Sequence, residues 1–154
     1  MVGIDIEITT MCAVLNENKV LMINRTKSWK GWAFPGGHLE NGESIIGCVK
    51  REMFEETGIV LENPIFKGIT NIYNTVSHKR HIIYNFVCNK YTGTVKTYCD
   101  EGKIQWINIS EFEMLTMAEG MEYRIPLFLK DKRQELYIEW DEEQGYTSVK
   151  YCEM

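Results

Sequence analysis

GHLENGESIIGCVKREMFEETGI, residues 37–59, holds Glu52, Glu55 and Glu56 at relative positions i, i+3 and i+4. On a helix that spacing sets three carboxylates along one side. Three anions so crowded require a cation. The stretch also carries its own boundaries. Gly42-Glu43-Ser44 opens a helix expected to run to Thr57, and Gly58 stops it, because glycine tolerates the left-handed conformation that ends helices. Around the helix Ile45, Ile46, Val49 and Met53 fall on one arc and the three glutamates on the neighbouring one. One arc is expected to pack and the next to coordinate.

Upstream, residues 5–13 alternate and are β-branched, residues 19–24 form another short apolar run, and Asn16-Glu17-Asn18 between them is turn chemistry. A β-hairpin is expected. Ala33-Phe34-Pro35-Gly36-Gly37 breaks regular structure. Downstream, residues 64–73 and 81–88 read as two long strands joined through the basic stretch Ser77-His78-Lys79-Arg80. Residues 103–109 read as a further strand ending at Ser110, the expected N-cap of a short helix through Leu115. Residues 121–130 read as a helix that Pro126 should shorten or kink, and residues 137–140 and 146–151 flank 141–145 as a terminal hairpin. This order predicts one α/β domain over residues 1–154, with helices on both faces of a mixed sheet.

A chain of 154 residues suits one domain, and no proline-rich, glycine-serine or low-complexity tract marks a linker. Apolar stretches such as residues 80–88 fall far below the roughly 18 residues that span a bilayer, so no membrane is expected. MVGIDIEITT at the start is acidic rather than basic ahead of its apolar residues, which argues against a secretory signal. A cytoplasmic location follows by elimination. Five cysteines, at 12, 48, 88, 99 and 152, are odd in number and lack a C-x-x-C or zinc spacing, as expected of reduced thiols acting as small hydrophobes. A net charge of −5 disfavours non-specific nucleic-acid binding, which uses a basic stripe. It leaves a nucleotide open, because a carboxylate cluster filled with divalent metal becomes locally electropositive.

Gly37, Glu43, Arg51, Glu52, Glu55, Glu56 and Gly58, with apolar Met53 and Ile59, fit every fixed position of G-x5-E-x7-R-E-U-x-E-E-x-G-U. The stretch resembles the Nudix box. At ~7% usage per fixed position, the seven coincidences arise by chance in roughly one chain of this length in a million. The resemblance implies a Nudix-like α/β/α sandwich with a mixed central sheet, hydrolysing a nucleoside diphosphate linked to another moiety with Mg2+ or Mn2+. Hard carboxylate oxygens suit these ions on chemical grounds as well. By the same resemblance, metal coordination falls to Glu52, Glu55, Glu56 and the Gly36 carbonyl. Arg51 is similar to the arginine that orients the glutamates through a salt bridge. Glu101, five residues before Trp106, is similar to a distal glutamate used as ligand or base, with Asp100 beside it as the alternative.

On the substrate side, Phe34 resembles a residue lining the base pocket of MutT-like enzymes, Arg25 a phosphate- or base-contacting residue, and Glu43 the supporting acid near the helix start. Trp29 and Trp32 each offer a wide face for stacking on a base, and Trp32 is assigned to the site. His78 and His81 read as part of a solvated turn. Ala33 stands where some oxidised-purine enzymes place asparagine, and no base-reading Asn or Asp is assignable around residues 117–120. The expected activity is that of a MutT-like nucleoside triphosphate pyrophosphohydrolase, with 8-oxo-dGTP favoured. ADP-ribose or another nucleotide sugar, a dinucleoside polyphosphate and a 5′-triphosphate RNA end are the alternatives. From another class, a non-catalytic ligand-binding module is the rival, disfavoured by the intact glutamates. A nucleotide is the expected partner, and oligomeric state stays open, a homodimer included.

Overall fold

The computed structural model describes residues 3–154; Met1 and Val2 of the acidic N-terminal stretch lie outside it. β1 (Ile6–Asn16) and β2 (Lys19–Arg25) form the expected hairpin, with Glu17 of the turn at φ 55°. Short strands β3 (Gly31–Ala33) and β4 (Gly36–His38) flank Phe34-Pro35, so the break expected over residues 33–37 narrows to those two. Then come α1 (Ile45–Thr57), β5 (Ile59–Glu62), β6 (Ile65–Asn74), β7 (Arg80–Cys88), β8 (Lys90–Gly93), β9 (Tyr98–Cys99) and β10 (Gly102–Asn108). A 3-10 turn (Ile109–Met114), α2 (Met121–Leu129), β11 (Gln134–Asp141) and β12 (Gly145–Glu153) follow. The terminal hairpin is longer than its aromatic residues suggested. No helix among the described residues is long and apolar enough to cross a membrane.

The main sheet is mixed and runs β12-β11-β6-β7-β1-β2-β10-β9. β1 lies parallel to β7, and β11 parallel to β6. One edge of β1 is shared: its C-terminal end pairs with β2, while Thr9, Thr10 and Met11 pair with His38, Gly37 and Gly36 of β4. β5 and β8 form a separate two-stranded sheet.

Side chains alternate across β1 as the pleat requires. Cys12 and Val14 pack with Val49 and Met53 of α1 beneath one face, and Met11 and Ala13 with Leu127 and Phe128 of α2 above the other. This is the α/β/α sandwich that the sequence implied. Val49 and Met53 are almost wholly buried and each contributes roughly 1.5–3 kcal/mol of apolar burial, more than the helix cap does.

Two expectations need correction in α1. Ile46 is 44% exposed, and Cys48 and Thr57 join the buried stripe instead. β5 follows directly on the helix and covers its C-terminal half, leaving the first turn more open. The division into a packing arc and a coordinating arc also fails, because in helical projection Glu52 and Glu56 fall between Cys48 and Val49. Both acids sit on the packing side, and Glu55 alone stands on the rim.

The caps follow local chemistry. Ser44 Oγ accepts the Gly47 N–H at 2.9 Å, and Gly58, at φ 82°, donates its N–H to the Phe54 carbonyl. Ser110 is not the cap of the following turn. Asn108 Oδ1 accepts both the N–H and the hydroxyl of Ser110, because the strand ends one residue earlier. α2 continues through Pro126 to Leu129. Ser44→Ala is expected to lower stability by about 1 kcal/mol, read as a shift in the urea midpoint at unchanged slope.

Candidate active site

Arg51, on the outer flank of α1, spends all five of its N–H donors. Nε and Nη2 grip the two oxygens of Glu43 at 2.6 and 3.1 Å, and Nη2 also reaches the His38 carbonyl at 2.9 Å. Nη1 serves Glu52 Oε1 at 2.8 Å and Glu55 Oε2 at 3.2 Å. Hydrogen bonds from Arg51 and the Glu40 N–H hold the Glu43 carboxyl down at about 2. Hydrogen bonds donated to Glu43 above all, then to Glu52, push the guanidinium further up still.

Glu56 has no such partner. Burial first, then the charges of Glu52 and Glu101, push its carboxyl up to about 8, against a smaller opposing effect of Arg25. Its Oε2 is buried with no hydrogen-bond donor. Glu101 lies in the turn before β10, its carbonyl held by the Thr26 N–H and its carboxylate paired with Arg25 Nη2 at 3.1 Å. Arg25 also donates Nε to the Ser28 carbonyl at 3.0 Å.

Gly37 makes the acids accessible. A Cβ there would collide with the Glu52 carboxylate, and one at Gly36 with the Thr10 carbonyl. With neither present, acids rooted in the α1 layer reach past the shared edge of β1. One cavity of about 420 Å³ results, a size typical of small-molecule sites. Glu52, Glu56, Glu101, Arg25 and Gly36 line one end, and Phe34, Trp29, Ile72, Ile83, Ala118 and Arg124 line the α2 side. Phe34 is 2% exposed and set edge-on against Phe128 at 4.7 Å. Trp29, at φ 53° in the β2–β3 loop, tilts against Trp140 at 6.5 Å. His81 Nε2 and Thr9 Oγ1 are 2.8 Å apart on the floor, and burial pulls the imidazole below its ordinary range. A wider hollow of about 540 Å³ beside the β1–β2 turn holds no buried titratable group.

The donor set fits a hard divalent cation: clustered carboxylates, one of them with an orphaned buried oxygen, and a backbone glycine on the same cavity. Among the described residues no three acidic, imidazole or thiol groups already form a ligand cage, since Glu52 is turned toward Arg51. Arg51, Glu43 and Glu55 support the wall from behind and do not line the cavity. Trp32 does not line it either; it is half-buried against the α2-side core, where its carbonyl accepts the Ala118 N–H. Trp29 holds the position by the cavity. His81 is no part of a solvated turn, unlike the exposed His78, because β7 begins at Arg80 and turns residue 81 inward. Arg124 was missed. A charge three and four residues before Leu127 and Phe128, on the apolar side of its helix, was the available signal.

The profile of the NUDIX domain matches residues 6–128. The chain is 35% identical over 125 residues to the uncharacterized Nudix hydrolase YvcI of Bacillus subtilis, covering 79% of this chain and 78% of that one. It is 38% identical over 90 residues to an 8-oxo-dGTP diphosphatase of Buchnera aphidicola, covering 57% and 68%. The crystal structure of a MutT protein from Bacillus halodurans superposes with a TM-score of 0.83 at 29% identity, over 94% of this chain and 97% of that one. The chain belongs to the Nudix hydrolase family. It is an enzyme of phosphoanhydride hydrolysis, in a family that generally uses divalent metals and acts on nucleotides.

Two outcomes test this geometry. Because the Glu56 carboxyl is raised from 4.5 to about 8, the folded, metal-free protein binds more protons than the unfolded chain between those values. Its contribution is therefore intact below pH 4.5 and lost as pH rises through about 8. Glu56→Gln should melt on the order of 5 °C above wild type at pH 8.5, and the difference should vanish by pH 5. Gly37→Ala should fold, since the obstacle is a side-chain end, yet lose on the order of 100-fold in kcat as the Glu52 carboxylate is displaced.

Proposed function

We propose that the protein is a MutT-like nucleoside triphosphate pyrophosphohydrolase, dependent on Mg2+ or Mn2+, converting 8-oxo-dGTP to 8-oxo-dGMP and pyrophosphate. One observation carries this reading: a single cavity joins the carboxylates of Glu52, Glu56 and Glu101 to an apolar recess between Phe34 and Trp29. Phosphates fit the first end and a base the second. The resemblance to the Buchnera 8-oxo-dGTP diphosphatase supports the oxidised purine.

Glu52, Glu56, Glu101 and Gly36, through its carbonyl, line the cavity and would hold the cation, with Glu55, paired to Arg51 outside it, as a further ligand. When bound, it neutralises the diphosphate bridge and acidifies water beside it. Arg51 orients Glu52 and Glu55 through its Nη1 hydrogen bonds. Arg25 faces the phosphates from the β2 end and positions Glu101, which takes the proton of the attacking water. The water oxygen bonds to phosphorus as the bridging P–O bond breaks, and the leaving phosphate group departs in line with the bonding electron pair. Phe34 and Trp29 bracket the base, with Trp29 in the part first assigned to Trp32. Glu43 acts through Arg51 rather than on substrate.

A panel of 8-oxo-dGTP, the canonical triphosphates, ADP-ribose and a dinucleoside tetraphosphate, assayed with Mg2+ in 18O-water, tests the reading. Label in the monophosphate or in pyrophosphate locates the phosphorus attacked. Preference for ADP-ribose over every triphosphate would sink it. Chelation of the metal should abolish turnover, and Glu56→Gln should lower kcat by at least roughly 100-fold at saturating Mg2+.

A further inference from the structure

Arg124 sits in the first turn of α2, which packs on β6, β7 and β11, and it is only 8% exposed. A guanidinium keeps its charge in a protein, so this is a buried cation. Its sole acceptor among the described residues is the Glu119 carbonyl, 3.2 Å from Nη2. Nε is buried and unpartnered, and no ion pair among the described residues includes Arg124. A cation left in this state costs stability unless something else supplies acceptors. It borders the base end of the cavity.

The neighbours narrow what can enter. Glu7, on the same cavity, disfavours a second anion, and His81 is held toward its neutral form by burial. Phe34, Ile72, Ile83 and Ala118 form apolar walls that suit a flat ring. A planar donor fork facing the edge of a base matches the carbonyl oxygen at position 6 of a purine, as arginine does with guanine elsewhere. Adenine turns an amino donor toward the same fork and leaves the cation unpaired. Oxidation at position 8 converts N7 to a donor but keeps O6, so one contact serves both guanine and 8-oxoguanine.

We propose that Arg124 is the specificity-determining residue of the site, donating to O6 of a 6-oxopurine and rejecting adenine. The proposal rests on the assignment of this recess to the base. Binding of GMP, IMP and AMP is measured by calorimetry, without metal and without turnover, alongside kcat/KM for dGTP, dITP and dATP. IMP and dITP keep O6 but lack the 2-amino group, so they separate O6 reading from other guanine contacts. Wild type should favour oxopurines by roughly 10- to 100-fold in both measurements. Arg124→Met should bring the preference within about 3-fold, chiefly by lowering binding and kcat/KM for the oxopurines, and Arg124→Lys, which keeps charge without the planar fork, should fall between. The Met variant should melt no lower than wild type, since it removes an unpaired buried charge; if it does not fold, the Lys variant decides.

Equal binding of GMP and AMP to wild type, binding of neither, or a preference unchanged in the variants overturns the proposal. If no triphosphate is cleaved while GMP binding still depends on Arg124, the triphosphatase reading fails and this one stands.

Discussion

The guanidinium of Arg51 is the interaction on which the site depends. Glu43, Glu52 and Glu55 lie within hydrogen-bond distance of it and Glu40 Oε1 lies 3.7 Å away, so one cation offsets the repulsion of a whole acidic surface. Its planar fork also takes the His38 carbonyl, tying β4 to α1 and closing the loop between them. A lysine could neutralise charge there, but its single ammonium would not hold donors in five fixed directions.

That arrangement is selective in what it leaves out. Glu56, one residue beyond the acid that Arg51 holds, gets no donor, and burial raises its carboxyl to about 8. Across the sheet, Arg124 gets no anion. An unsatisfied acid and an unsatisfied cation thus border one cavity, separated by strands and unable to meet. Polar groups left unpaired in this way cost stability in the empty protein and are compensated when a ligand supplies the missing partners.

Much of this was legible locally. The span of α1, its stop at Gly58 and the β1–β2 hairpin follow from side-chain type and spacing over a few residues, and the role of Arg51 from the resemblance to the Nudix box. What escaped depends on contacts between distant segments. β4 is three residues long and exists because β1 offers it a free edge. β5 and β8 stabilise each other across 30 residues of intervening chain, roughly, and neither pattern announces the other. Trp29 and Trp32 are indistinguishable by composition, and only the pairing of β3 with β2 turns Trp32 toward the core and leaves Trp29 in the loop by the cavity.

By itself the sequence determined the family, since three glutamates, an arginine and the glycines around them at that spacing match the Nudix box. It also determined the alternation that puts helices on both faces of a sheet. Tertiary structure alone decided that Glu52 and Glu56 lie on the packing side of α1, that glycines at the shared edge of β1 open a passage between layers, and that Arg124 and His81 face it. The physical reason is burial. Which side of an element is covered, and which charge is left without a partner, are properties of the neighbours it meets, and those neighbours come from the far ends of the chain.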